Sequence, residues 1–123
     1  MIHLDTSFLI HALDPESAED RKLRHWLQEG HPLGMSAVAW AELLCGPLTP
    51  SEMEFAAEMV GQHRDFTPEQ AVAAARLFNE SGRRRGSLVD CMIAAAALAD
   101  GASLATANEV DFRRFRSSGL VLA

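Results

Sequence analysis

The segment from Leu88 to Ala99, reading Leu-Val-Asp-Cys-Met-Ile-Ala-Ala-Ala-Ala-Leu-Ala, constrains the fold more than any other part of the chain. Asp90 is its only polar residue. Ser87 before it and Asp100-Gly101 after it read as helix start and stop, so the stretch is a helix apolar on nearly every face, and such a helix is buried. The remaining elements must pack around it. Burying a lone carboxylate costs several kcal/mol unless something positive compensates it. With Ser87 as N-cap, Asp90 stands at the third helical position, where free amide hydrogens and the helix dipole favour an anion. A metal or an arginine is the alternative compensation.

Short strand-like runs alternate with longer helical patterns along the rest of the chain. Ile2-His3-Leu4 reads as a strand stopped by Asp5, after which Thr6-Ser7 opens an apolar turn of helix through Phe8, Leu9 and Ile10. Asp14-Pro15 signals a second helix, with Leu23, Trp26 and Leu27 on one face and Gly30 at its end. Leu33-Gly34-Met35 is a second strand, and Ser36 caps a helix through Val38, Trp40, Leu43, Leu44 and Cys45 to Gly46-Pro47. Glu42 lies inside that helix, on the face of Val38 and Cys45. Ser51-Glu52-Met53-Glu54 reads as a capping box, and Thr67-Pro68-Glu69-Gln70 as another, whose helix runs through Val72, Leu77 and Phe78 to Gly82. Arg64-Asp65-Phe66 is a short strand or extended connector, Ser103-Leu104-Ala105 a further strand, and Leu120-Val121-Leu122 the last. This alternation predicts right-handed crossovers and a central, mostly parallel sheet with helices on both faces, a three-layer α/β/α sandwich. At 123 residues, a single domain over 1–123 accounts for the whole chain.

Several function classes are disfavoured. The longest apolar run is too short for a membrane span, and the N-terminus lacks a basic region followed by an apolar one, so a cytoplasmic protein is expected. Cys45 and Cys91 form no CxxC pair and are expected to be reduced core residues, while the five histidines show no zinc-ligand spacing. The formal charge of -6 argues against general attraction to nucleic acid, though not against a local site. A phospho-receiver or dehalogenase-like phosphatase would need a lysine beside its aspartate, and the only lysine, Lys22, sits in a polar early helix. No GxGxxG loop supports a Rossmann dinucleotide site.

In an open parallel sheet the functional crevice lies beyond the carboxyl ends of the strands, where strand order reverses. Asp5 ends the first strand and Asp111 follows the strand at Leu104, so both belong at that edge. Glu42 and Asp90 lie on helices that the same crossovers can turn toward it. Four acids converging from four segments would repel one another, and an oxygen-binding cation, magnesium or manganese, is their natural counter-charge. Metal-assisted hydrolysis of a phosphodiester is the chemistry most consistent with this set. Taken singly, Asp5 and Asp90 serve equally well as helix caps, and the arginines at 83–85 and 113–116 as solvated surface.

Hydrophobic-Leu4-Asp5-Thr6-Ser7, Ala41-Glu42-Leu43, Ser87 to Ala94 and Thr106-Ala107-Asn108-Glu109-Val110-Asp111-Phe112 resemble, in order and over nearly the whole chain, the signatures of PIN-domain ribonucleases. The VapC-type toxins of bacterial toxin-antitoxin pairs are the nearest resemblance. It implies an acid cluster binding Mg2+ or Mn2+, cleavage of single-stranded segments of RNA, inhibition by a cognate VapB-like antitoxin, and a homodimer. By this resemblance Asp5, Glu42 and Asp90 match the first three acids, and either Asp111 or Asn108 supplies the fourth position. Thr6 and Ser7 match hydroxyl positions that orient the first aspartate or a metal-bound water. Arg83, Arg84, Arg85, Arg113, Arg114 and Arg116 are candidate RNA-phosphate contacts. Trp26, Leu27 and Trp40 are candidates for the antitoxin surface or for ordinary core packing. The competing reading is a non-catalytic PIN-like binding module whose acids are retained as caps.

Overall fold

Four short strands paired in parallel form the sheet of the computed structural model, which describes residues 1–123. They are β1 (Ile2–Leu4), β2 (Leu33–Ser36), β3 (Gln62–Arg64) and β4 (Ser103–Ala105), in the spatial order β3-β2-β1-β4. Ile2 stands opposite Leu33 on one side and opposite Ser103 on the other, and Leu4 stands opposite Ala105. Chain order therefore grows outward from β1 through β2 to β3, then reverses to place β4 on the other flank. The reversal puts a topological switch point between β1 and β4.

The helices are α1 (Thr6–Ala12), α2 (Ala18–Gln28), α3 (Ala37–Leu44), α4 (Pro50–Met59), α5 (Pro68–Glu80), α6 (Leu88–Ala99) and α7 (Glu109–Phe112), followed by a 3-10 helix, Arg113–Ser118. Together with the sheet they form the expected α/β/α arrangement. Helix α6 is the apolar segment LVDCMIAAAALA. Cys91, Ile93 and the four alanines at 94–97 are buried, and the small side chains let α5 pack closely along it. Forcing extra methylenes into such a contact would cost about 1–3 kcal/mol. No helix is long and apolar enough to cross a membrane.

Side chains alternate across β1, so His3 leaves the sheet on the face opposite Ile2 and Leu4. There His3 Nε2 donates to Asp100 Oδ2 at 2.8 Å, at the C-terminal end of α6. Arg64, from the end of β3, donates to the same carboxylate twice, Nε to Oδ2 at 2.9 Å and Nη2 to Oδ1 at 3.0 Å. This network ties strands β1 and β3 to the end of α6. Its carboxyl is held below the ordinary range, chiefly by the Arg64 hydrogen bonds, whereas burial lowers the His3 imidazole despite its partner.

Several local expectations change. Ser17, not Asp14, caps α2 by accepting from Asp20 N, and Asp14-Pro15 forms a preceding turn in which Asp14 Oδ1 accepts from Glu16 N. The capping box of α4 is Thr49 with Glu52, with Pro50 at its first turn, so it starts just before Ser51. Thr67 caps α5, but the reciprocal half of a box is absent, and Gln70 Oε1 is buried without a partner. Leu120-Val121-Leu122 contributes a single parallel bridge, Leu122 to Leu104, in place of a full strand. Cys91 is buried as expected, but Cys45 is exposed at the end of α3. Trp26 stacks on Phe8 and Trp40 packs edge-on against His63, each partly buried against the core, while Leu27 stays exposed.

Candidate acidic active site

Asp5 leaves β1 in extended conformation and becomes the N-cap of α1. Its Oδ1 accepts from Thr6 N at 2.9 Å, and its Oδ2 accepts from Ser7 Oγ at 2.7 Å and from Thr106 Oγ1 at 2.8 Å. Each hydroxyl is itself engaged as an acceptor, since Ala107 N donates to Ser7 Oγ and Asn108 N donates to Thr106 Oγ1. A hydroxyl has one proton, so these amides leave it directed at the carboxylate. Asp5 is only 4% exposed and is fixed by three donors at the switch point. Thr106 was not singled out from the sequence. The available signal is its position directly after β4, one step beyond the Leu4–Ala105 register, as Asp5 is directly after β1.

Thr6 links Asp5's helix to α3. Its Oγ1 lies 2.8 Å from Ala39 O and 3.2 Å from Glu42 Oε1, so one proton is shared between two acceptors. Glu42 stands at an exposed edge of α3, beside a shallow groove lined by Ala37, Val38, Ala41, Cys45 and Val89. Partial burial raises its carboxyl above the ordinary range, the Thr6 hydroxyl pulls it down, and the charges of Asp5 and Asp90 push it further up. Asp90, at the third position of α6, is also raised, first by burial and then by Asp5. The three acids therefore share one electrostatic environment.

The cap expected from Ser87 is not made. Ser87 Oγ donates instead to Arg84 O at 2.6 Å, closing the turn between α5 and α6. That turn runs through Gly82, Arg83 and Gly86, all at positive φ, and carries Arg84 to α7, where Nη1 donates to Asp111 Oδ1 at 3.2 Å. Asp111 lies within electrostatic reach of Asp90 and raises it as well. Asn108 is exposed just before α7, and its side chain caps nothing there. Phe8, Lys22, Thr106, Asn108, Glu109 and Asp111 line a cleft of about 340 Å³ beside the acids.

The six arginines do not behave as one basic surface. Arg83 turns back to Asn79 and lies over the Phe78 ring, Arg84 pairs with Asp111, and Arg113 pairs with Glu109 at 3.9 Å. Arg114 is largely buried and lies 3.8 Å from Asp90 Oδ2, which removes it from the set of freely exposed phosphate contacts. Arg85 and Arg116 are exposed.

No three His, Cys, Asp or Glu side chains meet closely enough to cage an ion. The donor set nevertheless fits a hard divalent cation in chemistry. It is all oxygen, Asp90 and Glu42 are both raised by burial and then by neighbouring carboxylates, and Mg2+ is commonly held by one or two carboxylates with water completing its shell.

A parallel α/β sheet with buried, hydroxyl-braced Asp5 at its switch point and two further acids around it defines a distinct class of domain. The PIN domain family matches residues 2–117, and the chain belongs to that family. Solved structures share its fold over almost their whole length. VapBC2 from Rickettsia felis, bound to a DNA fragment from its promoter, is similar at 22% identity with a TM-score of 0.78, covering 100% of this chain and 98% of that one. VapBC from Salmonella typhimurium, also DNA-bound, is 20% identical with a TM-score of 0.75, covering 99% and 96%. VapC20 from Mycobacterium tuberculosis, described as a toxin cleaving the sarcin-ricin loop, is 17% identical with a TM-score of 0.72, covering 100% and 98%. No curated protein matches the sequence.

Proposed function

We propose that this chain is a metal-dependent endoribonuclease that cuts single-stranded segments of RNA and acts as the toxin of a VapBC-type pair. The observation that carries the reading is the bracing of Asp5 by Thr6 N, Ser7 Oγ and Thr106 Oγ1 where Asp90 and Glu42 share its field. A helix cap needs only a backbone donor, and the two added hydroxyls satisfy the buried carboxylate and fix the direction it faces. Family membership supports a nuclease, and the VapBC structures and VapC20 support this pairing and an RNA substrate.

In this reading Asp5 and Asp90 would hold Mg2+ or Mn2+, with Glu42 and either Asp111 or Asn108 contributing directly or through water. The bound ion supplies a water of lowered pKa and charge stabilisation for the phosphate oxygens. Ser7 and Thr106 orient Asp5, Thr6 orients Glu42, and exposed Arg85 and Arg116 offset the repulsion between an acidic protein and RNA. A VapB-like antitoxin restrains the enzyme, which acts in the cytoplasm as a homodimer.

The test is to sequence RNA ends after brief expression of wild type and of Asp5→Asn. New ends confined to wild type are expected, and identical end profiles would sink the assignment. Titration calorimetry of Mn2+ into wild type and Asp90→Asn separates it from a non-catalytic binding module, which would show no acid-dependent metal site.

A further inference from the structure

Arg114 is placed unlike the other arginines. Its side chain is 17% exposed, and its guanidinium lies 4.6 Å from the centroid of the buried Phe115 ring. Nε and Nη2 are buried without a hydrogen-bond partner. Arginine cannot shed its charge in a protein, and buried N–H groups left unpaired weaken a fold. Packing on Phe115 alone would be served by methionine or leucine at no such cost. What an aliphatic side chain lacks is the fixed positive charge, and that charge lies beside Asp90.

The spacing is informative. Arg114 Nη2 is 3.8 Å from Asp90 Oδ2, within Coulomb range but beyond hydrogen-bond distance. A bidentate pair such as Arg64 makes with Asp100 would occupy both oxygens of the acid. At 3.8 Å neither Asp90 oxygen is taken by the guanidinium, and both stay available to another ligand.

We infer that Arg114 is an internal counter-cation of the acid site, balancing Asp90 by charge alone in the metal-free protein until a divalent ion takes over that balance. The second half of this inference rests on the metal-binding reading above. The first half stands on the geometry of Arg114 and Asp90.

The experiment is a double-mutant cycle in EDTA with Arg114→Met, Asp90→Asn and the pair, read by thermal melting. Arg114→Met is expected to lower Tm by on the order of 5 °C in the wild-type background and by less than half as much when Asp90 is already Asn. Equal losses in the two backgrounds would overturn the inference and leave Arg114 a packing residue. If Arg114→Met does not fold, recovery of folded protein on adding Asp90→Asn reads the same coupling, and failure to recover overturns it. Saturating Mn2+ is then expected to raise the Tm of Arg114→Met more than that of wild type, and an equal or smaller rise rejects the handover. Wild type unresponsive to Mn2+ would reject both the metal reading and the handover, while the cycle still decides the pairing.

Discussion

Thr106 and Asp5, 101 positions apart in the chain, are joined by a 2.8 Å hydrogen bond across the β1–β4 boundary. The amide of Asn108 occupies the acceptor side of the hydroxyl and leaves its proton directed at Asp5. Thr106→Val keeps the shape and removes the donor. Partners that orient a metal-binding carboxylate are typically worth a factor of about 10–100 in metal affinity or activity, so that loss is expected in Mn2+ binding and RNA cleavage. Thr106→Ser is expected to retain most of both. Unchanged calorimetry and cleavage in Thr106→Val would show that the bond is incidental.

Asp90 and Glu42 make the metal-free site weaker at neutral pH. Both carboxyls are raised on folding, so their contribution to stability is fully present below the unfolded values, 3.8 and 4.5, and is lost as pH rises through the higher folded ones. Asp90→Asn should therefore melt above wild type in EDTA at about pH 7, with the gap closing as pH falls toward about 4. A constant gap across that window would contradict the raised carboxyl.

The His3–Asp100–Arg64 network has the opposite sign. Asp100 is lowered on folding, so its contribution is present above 3.8 and is lost only as pH falls through its folded value. Asp100→Ala would leave buried His3 without its partner and is expected to cost about 2–4 kcal/mol in urea unfolding at neutral pH. The acids around Asp5 are untouched by this change. A loss below about 0.5 kcal/mol, the size of an ordinary surface substitution, would mean that the network is ornamental.

Cysteine reactivity reports the two thiols separately. Cys45 is exposed and Cys91 is buried, with burial raising the latter's thiol above its ordinary range. A disulfide reagent should titrate one thiol in the native protein and the second only on unfolding. Two fast equivalents under native conditions would place Cys91 at the surface.

The fold was legible where patterning carries across many residues. The apolar run of α6 announced its own burial, and short β-like runs separated by helices announced a parallel sheet. Helix starts were less legible because several capping residues compete locally. Asp14, Ser17, Thr49 and Ser51 all have side chains able to accept from a nearby amide, and tertiary packing decides which one does. Leu120–Leu122 reads as a strand because it is apolar, yet alternation cannot show how much of it will find an edge to pair with. At the site, three acids stand where their local motifs placed them, but the agents that hold them are contacts across long sequence separations. Thr106 on Asp5, Arg84 on Asp111 and Arg114 beside Asp90 leave no periodic trace, and both arginines belong to runs that read as solvated surface.

The register between β1 and β4 also has a consequence for synthesis. Asp5 leaves the ribosome 101 residues ahead of Thr106, so the brace on the carboxylate is absent while the residues between them are being made. At about 5–20 residues per second, that interval lasts several seconds or more for each molecule. A nascent chain lacking residues beyond 102 has no β4 beside β1 and no hydroxyl from that side on Asp5. The surroundings of Asp5 are thus completed only once β4 has emerged, by the same strand pairing that completes the sheet.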